Sequence, residues 1–340
     1  MAFQIGGYYQ RYVDRSTVHK NYRSLPIPPA YRLYVSTGVL TTCLLSLSLY
    51  THTHTNNRTL YSWSMPWVGN AAEADLSNVS GYSLVILSFM QPDTTYAAGT
   101  GPSLEGTGLQ FSSEPQVIKE SIATLKSKNP DVKVLVAVGG ATFHNWEDLN
   151  PQGIASFVSE FGLDGVDIDF EPPLGPDGTL NLSTDELYAN VTRALRDSLP
   201  RPLLLTSAVW SVGAYGQGAF AEASPQGSPY AGFSARMLQG VGDLLDQIHV
   251  MAYDAGDDYN PCVAYDAYRS VYSGPIVMGI EVPPDAVGGH STSLEEVRAL
   301  AEHVRGQGGA GVFVWSIQKE GTPGVGVGDI IQTARQVFGI

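Results

Sequence analysis

The sequence predicts an α/β protein folded as a single closed (β/α)8 barrel. Three observations support this prediction. Short, continuous apolar runs alternate with amphipathic helical stretches along most of the chain, and polar or aromatic residues collect directly after the apolar runs. In addition, a chain of 340 residues, of which 43% are apolar, can bury a core of the size that such a barrel needs.

Eight apolar runs have the length and composition of strands that are buried on both faces. They are Phe3–Gln10, Tyr82–Met90, Val132–Gly139, Gly165–Phe170, Leu203–Trp210, Gln247–Tyr253, Pro275–Val282 and Gly311–Ser316. Helix candidates between them include Glu114–Lys128, Gln152–Phe161, Thr184–Leu199, Ser234–Leu245, Leu294–Gly306 and Gly328–Phe338. An open doubly wound sheet shows the same alternation, so the motifs at the strand ends decide between the two folds.

The composition restricts the classes of partner and compartment. With 33 acidic against 19 basic side chains, the net charge of −14 argues against nucleic acid and other polyanionic partners. The apolar run Val39–Leu49 is much shorter than the roughly 20 residues that a membrane-spanning helix needs. The two cysteines, Cys43 and Cys262, predict neither a disulfide framework nor a metal site. Residues 1–7 lack the features of a signal peptide, so the protein is expected to be intracellular unless its start is misassigned.

Residues 11–61 differ in composition and in hydrophobic pattern from the rest of the predicted barrel. They contain six basic residues and one acidic residue, and they show neither a helical nor a strand period. Such a long structureless segment is unusual inside a compact domain. Its removal would join Gln10 directly to Ser62. We therefore interpret residues 11–61 as an anomalous insert, which is either a retained intron or a long loop after the first strand that acts as a lid or partner site.

The most informative segment is the acidic run from Asp164 to Glu171. Successive side chains of a strand alternate between its two faces, so Asp167, Asp169 and Glu171 share the face opposite to the apolar residues between them. Three inward carboxylates repel one another, and at least one is expected to keep a proton near neutral pH, as a general acid requires. The alternative interpretations are a solvated, acidic strand edge and a divalent-cation site. Asp164 has the wrong parity for this cluster and is expected to be structural.

This segment resembles the DxxDxDxE signature of glycoside hydrolase family 18, the family of many chitinases. The stretch 136–140, Val-Ala-Val-Gly-Gly, resembles the family's SxGG motif, and 251–254, Met-Ala-Tyr-Asp, resembles its MxYD motif. Trp315 falls where the family places a tryptophan at the end of the eighth strand. The resemblance covers nearly the whole chain and implies a TIM barrel. Ala137 departs from the pattern, because a serine at that position would supply a hydrogen bond beneath the acidic cluster.

The resemblance implies a substrate-assisted, retaining hydrolysis of β-1,4-linked N-acetylglucosamine polymers. Glu171 is then expected to be the general acid and base. Asp169 is expected to orient the acetamide group, while Asp167 shares a proton with it. Tyr253 is expected to bind the acetamide oxygen, and Asp254 to contact the distorted sugar.

Further substrate-binding residues are predicted from the resemblance and from their positions at strand ends. They are Trp315, which is expected to form the floor beneath the sugar, and Met251, Gly139, Gly140, Trp210, Glu281 and Tyr8. Phe143 and Trp146 are additional candidates for the cleft. No cofactor and no metal are expected. The expected partners are chitin or N-acetylglucosamine oligosaccharides, without nucleic acid or membrane, and the protein is expected to be a monomer.

The predicted seventh strand is followed closely by helix-like sequence, where larger members of the family insert a small α+β domain. This predicts an open groove and an endo-type action. Two other functions stay open, an endo-β-N-acetylglucosaminidase that acts on N-glycan cores and a chitin-binding lectin without activity. Trp315 and the motif at 251–254 favour the chitinase, and the presence of all three carboxylates on one strand argues against the lectin.

Overall fold

The computed structural model describes residues 59–62, for which it gives the backbone, and residues 82–111, 113–181, 184–316 and 319–340. Eight parallel strands hydrogen-bond in chain order and close into a barrel, as predicted. They are β1 (Thr59–Ser62), β2 (Leu84–Met90), β3 (Lys133–Gly139), β4 (Gly165–Asp169), β5 (Leu204–Trp210), β6 (Gln247–Met251), β7 (Ile276–Glu281) and β8 (Gly311–Trp315). The carboxyl ends of all eight strands therefore lie at one end of the barrel, where the functional residues of this fold collect.

Within the described residues, a helix follows each strand from β2 to β8. These helices are α1 (Pro115–Lys128), α2 (Pro151–Phe161), α3 (Thr184–Ser198), α4 (Phe233–Val241), α5 (Pro261–Val271), α6 (Leu294–Gly306) and α7 (Val327–Phe338). The sequence interpretation contains no helix between the sixth and seventh strands, but α5 begins there after Asn260, whose side chain accepts hydrogen bonds from two backbone N–H groups of the first turn. None of the described helices is both long enough and apolar enough to cross a membrane.

The first strand of the barrel lies at a different place from the one expected. β1 pairs in parallel with β8 over its whole length and with β2 at Ser62. Residues 59–61 belong to the segment interpreted from its composition as an insert, so the structure corrects the end of that segment. A strand of four residues is too short to show a clear period of two, which explains why it was missed. The predicted first strand, Phe3–Gln10, and Tyr8 within it lie outside the described residues.

The barrel strands separate two hydrophobic cores. The outer core lies between strands and helices and includes Val166, Ile168 and Phe170. The inner core fills the barrel beneath the acidic residues, and it contains Leu84, Ile86, Phe89, Leu135, Ala137, Val277 and Phe313. The apolar residues of β4 thus pack outwards while its carboxylates face inwards, which is the alternation that the sequence predicts.

Asp164 lies just before β4 and connects neighbouring elements of the barrel. Its Oδ2 accepts a hydrogen bond from the Val134 backbone N–H at 2.7 Å. The same oxygen forms an ion pair with Lys126 Nζ, on α1, at 2.6 Å. The carboxylate therefore joins the start of β4 to β3 and α1, at the opposite end of the strand from Glu171. This agrees with the structural role expected from its parity.

Candidate active site

β4 brings the three predicted carboxylates to the inside of the barrel at its carboxyl end. Asp167 and Asp169 are buried within the strand, and Glu171 follows two residues after its end and is half-buried. Gly139 of β3 pairs with Asp169. A Cβ atom on Gly139 would lie 2.2 Å from the Asp169 carbonyl oxygen and 2.3 Å from a ring carbon of Trp146. Glycine at this position therefore allows β3 to lie close beside the acidic strand.

Asp167 is held by residues of β5 and β6. Thr206 Oγ1 donates a hydrogen bond to Asp167 Oδ1 at 2.5 Å. His249 Nδ1 lies 2.9 Å from the same oxygen. On the other side, β3 places Ala137 opposite Asp167 in the ladder, and its methyl group belongs to the inner core. The hydrogen bond that a serine at position 137 would give is absent, and the polar contacts of Asp167 come instead from the next two strands.

The electrostatics of the acidic cluster favour retained protons. Burial raises the pKa of Asp169 well above its ordinary value, and the negative charges of Glu171 and Asp167 raise it further. Burial also raises the pKa of Glu171 to about 7, with a further contribution from the charge on Asp254, while a hydrogen bond from the Ala141 backbone opposes the rise. At neutral pH the cluster can therefore donate a proton, which is the property expected of a general acid.

The chain turns sharply after β6 and brings both Tyr253 and Asp254 to the site. The strand ends at Met251, and the Tyr253 N–H donates to the Met251 carbonyl oxygen in the turn. Asp254 has a φ of 55°, a left-handed conformation that is uncommon for a residue other than glycine. Burial raises the pKa of Tyr253 well above its ordinary value, and the charges of Glu281 and Asp169 add to the rise. Its phenol is therefore a neutral hydrogen-bond donor across the physiological range.

The loop after β7 fixes the conformation of Asp254. The Asp254 N–H donates to Asp285 Oδ2 at 2.9 Å. The Asp254 side chain accepts a hydrogen bond from the Val287 N–H through its Oδ1. Both bonds reach the same loop, so the left-handed turn is stabilised by contacts from outside its own strand.

Asp254, Glu281 and Asp285 form a second carboxylate group beside the first. Their oxygens lie within 4.8 Å of one another, a spacing that could hold a metal ion. Within this group Lys319 Nζ contacts Glu281 Oε1 at 2.5 Å and so supplies a cationic partner. Burial raises the pKa of Glu281 to about 8 and that of Asp285 to about 6, and the charge on Asp254 contributes to both rises. The group is therefore partly protonated at neutral pH.

Two aromatic pairs stand at the strand ends. Trp315, at the end of β8, lies 6.0 Å from Phe89 between ring centroids. Trp210, at the end of β5, stacks on Tyr230 with the centroids 3.8 Å apart and the planes 13° apart. The Tyr230 hydroxyl donates to the Pro172 carbonyl oxygen at 3.1 Å, directly after Glu171. Both tryptophans are partly exposed, so each presents an aromatic surface at this end of the barrel.

The structure brings most of the predicted site residues to the same end of the barrel. Tyr253 interacts electrostatically with Asp169, Glu171, Asp254 and Glu281. Five further predicted residues occupy the ends of β3, β5, β6 and β8 or the residues directly after them, and these are Gly139, Gly140, Trp210, Met251 and Trp315.

Two predicted cleft residues are buried rather than presented at a surface. Glu281 is 1% exposed and contacts Lys319 and the Ala286 N–H. Trp146 is 3% exposed and packs against Phe170 in the outer core, with ring centroids 5.1 Å apart. Glu281 and Trp146 therefore contribute to the shape and charge of the region around the site.

The sequence interpretation missed Thr206, His249, Tyr230, Asp285 and Lys319. Two of these carried a usable signal. Thr206 and His249 are polar residues inside apolar strands, and His249 shares the inward parity of Met251. The other three lie in irregular segments, where no period indicates which way a side chain points.

Together these features define a class of protein, a barrel hydrolase whose site is built from paired carboxylates on β4. Residues 50–303 match the family model described as glycosyl hydrolases family 18. This match covers more than half of the 340 residues, and the chain belongs to that family.

Individual relatives are distant. The chain is 24% identical over 191 residues to a chitinase of Plasmodium falciparum, a match that covers 46% of this chain and 50% of that protein. It is 29% identical over 157 residues to chitotriosidase-1 of Mus musculus, covering 41% of this chain and 30% of that protein. The matches therefore span half or less of the length of these two curated relatives.

A solved structure shows the same architecture. A family 18 chitinase from Pseudoalteromonas aurantia superposes with a TM-score of 0.59 at 22% identity, over 83% of this chain and 99% of that one. At this level of identity the likeness supports the fold alone.

Proposed function

We propose that the protein is a chitinase, which hydrolyses β-1,4-linked N-acetylglucosamine chains with retention of configuration. The observation that carries this proposal is the inward face of β4, where the carboxyl group of Glu171, with a pKa of about 7, follows the buried pair Asp167 and Asp169. A protonated carboxyl group beside further acids suits protonation of a glycosidic oxygen. Membership of family 18 supports the same reaction.

The reaction proceeds in two steps. In the first, Glu171 gives its proton to the leaving glycosidic oxygen while the acetamide oxygen of the substrate attacks the anomeric carbon, so that the glycosidic bond breaks and an oxazolinium intermediate forms. In the second, the Glu171 carboxylate takes a proton from water, which attacks the anomeric carbon and opens the ring of the intermediate. Asp169 orients the acetamide N–H and stabilises the positive charge, and Asp167 exchanges a proton with Asp169.

The surrounding residues bind and distort the reacting sugar. The Tyr253 hydroxyl, neutral because burial raises its pKa, donates to the acetamide oxygen. Asp254, fixed by the loop after β7, contacts the distorted sugar ring. Trp315 forms an apolar floor under that ring, and the stacked pair of Trp210 and Tyr230 lies beside Pro172 on the side of Glu171.

Hydrolysis of chitotetraose by the full chain tests the proposal. We expect the wild-type protein to cleave it, and the Glu171→Gln variant to lose activity by roughly 10²–10⁴-fold, as for removal of a general acid. Glu302→Gln, an exposed residue of α6, is the matched control and should retain full activity. Binding of chitotetraose without cleavage by the wild-type protein would favour a lectin. Cleavage confined to the di-N-acetylchitobiose core of a glycopeptide would favour an endo-β-N-acetylglucosaminidase.

The short connection between β7 and α6 supports an endo-type action. Residues 282–293 join these elements, so no additional domain stands between them to deepen the groove. A shallow groove admits a chain at internal positions. Early samples from long chitin oligomers are then expected to contain products of several lengths, and release of dimers alone from the first time point would contradict an endo-type action.

A further inference from the structure

We propose that His249 is a positioning residue for the reaction, which holds Asp167 through its Nδ1 atom and replaces the support that β3 does not supply. The inference rests on the proposed function, because it assigns to His249 a role in the proton exchange between Asp167 and Asp169. His249 does not belong to any of the sequence motifs that indicate the family.

The position of His249 supports this role. It lies inside the barrel on β6, opposite Ala208 of β5, and Ala208 is in turn opposite Asp169 of β4. His249 is 2% exposed and Asp167 is 0% exposed. The 2.9 Å between Nδ1 and Asp167 Oδ1 is therefore a contact formed away from water. The ring of Phe313, from β8, lies 5.9 Å from the imidazole between centroids and limits its movement.

The chemistry of a buried carboxylate requires such a partner. An ionised carboxyl group removed from water is strongly destabilised unless hydrogen bonds or an opposite charge compensate it. Asp169, a second acidic group, lies close to Asp167 and adds repulsion. Burial and, to a smaller extent, the charge of Asp167 raise the pKa of Tyr188 on α3, whose hydroxyl donates a hydrogen bond to Ser207 rather than to Asp167. Within the described residues, His249 places a ring nitrogen against Asp167.

The two carboxylate oxygens of Asp167 have different roles in this proposal, because the contacts with Thr206 and His249 are both made by one of them. Thr206 and His249 both contact Oδ1. With Oδ1 held in this way, Oδ2 is the oxygen that receives the proton of Asp169 when positive charge develops on the intermediate. That transfer breaks the O–H bond of Asp169 and forms one on Asp167, and it leaves Asp169 ionised beside the oxazolinium ring. His249 acts through Asp167 and does not touch the substrate.

Two amide substitutions test which ring nitrogen matters. An asparagine amide nitrogen can take the place of Nδ1, whereas a glutamine amide nitrogen takes the place of Nε2. We expect His249→Asn to keep most of the wild-type kcat on chitotetraose. We expect His249→Gln to lose about 10–100-fold in kcat, as for other residues that orient a reacting group, with KM nearly unchanged. Equal kcat values for the two variants, at equal thermal stability, would overturn the proposal.

A measurement that does not depend on activity separates this inference from the proposed function. The ¹⁵N signals of the His249 imidazole, assigned from the spectrum of His249→Asn, are expected to shift in the Asp167→Asn variant. Asp266→Asn is the matched control, because Asp266 contacts His303 Nε2 at 2.8 Å, and it should move the His303 signals alone. Unchanged His249 signals in Asp167→Asn would overturn the pairing. Shifted signals in a protein that does not cleave chitotetraose would retain the pairing and reject the proposed reaction.

Discussion

Glu171 shows how one residue takes its chemistry from its surroundings. Its carboxyl group is half-buried beside Asp254, and both effects disfavour the ionised form. Asp167 also carries a carboxyl group, yet this group contacts Thr206 and His249 and has no access to solvent. In the proposed reaction, the same chemical group therefore donates a proton at one position and gives internal support at another.

The activity is expected to fall as the pH rises through about 7. Glu171 must be protonated to act as the acid, and its pKa of about 7 means that the protonated fraction decreases above that value. The alkaline limb of kcat/KM against pH on chitotetraose measures this pKa in the free protein. An alkaline limb near the ordinary pKa of a glutamic acid, about 4.3, would contradict the effect of burial.

Replacing Lys319 by methionine should move this alkaline limb to lower pH. Burial raises the pKa of Glu281 and Asp254, and the charge of Lys319 opposes both rises. Without the ammonium group Asp254 is protonated more readily, and a neutral Asp254 no longer raises the pKa of Glu171. The pH profile of Lys319→Met checks the direction, with Lys319→Arg as the variant that keeps the charge. A limb that moves to higher pH would show that the charge on Asp254 does not control Glu171.

At the scale of elements, the structure explains which parts of the sequence were informative. The orientation of β4 could be predicted because its acidic and apolar residues alternate with the period of a strand. This local pattern is enough to show which face Asp169 lies on, without knowledge of its contacts in the folded protein. α5 was missed although Asn260 and Pro261 form a recognisable start for a helix. Lys319 and Asp285 were not predictable, because their contacts join loops after two different strands and depend on the closed barrel.

Arg196 of α3 provides an element-scale prediction about stability. Its side chain is 8% exposed, contacts Asp246 Oδ2 at 2.5 Å and donates to the carbonyl oxygens of Leu199 and Leu203. Arg196→Met leaves these acceptors without their donor, and we expect the free energy of unfolding to fall by about 3 kcal/mol. Urea denaturation measures the change.

Arg193, on the exposed face of the same helix, is the matched control for Arg196. Arg193→Met should change the free energy of unfolding by less than about 0.5 kcal/mol. Similar losses in both variants would show that the helix responds to its overall charge rather than to the buried contacts of Arg196.

At the scale of the whole molecule, the closed barrel was predictable because the apolar runs alternate with helical stretches and polar residues follow them. The first strand was not, because the composition of residues 11–61 conceals a strand of four residues at its end. The interpretation of that segment as an insert stays a prediction for residues 11–58, which lie outside the described part of the chain.

A pair of proline substitutions tests which segment completes the barrel. Proline has no N–H for the ladder, so Leu60→Pro should lower the free energy of unfolding by about 1–3 kcal/mol if residues 59–62 form β1. Ile5→Pro, in the alternative segment Phe3–Gln10, should then have little effect. Thermal unfolding of both variants distinguishes the two segments, and destabilisation by Ile5→Pro alone would assign the first strand to residues 3–10.

The pairing of β1 with β8 also has a consequence for how the protein is made. Thr59 lies beside Gly311, so the ring cannot close before almost the whole chain has been synthesised. Until then β1 and β7 each present an unpaired edge, and exposed edges of this kind favour association with other chains. Nascent chains that stop between β7 and β8 are therefore expected to depend on chaperones far more than the complete barrel does.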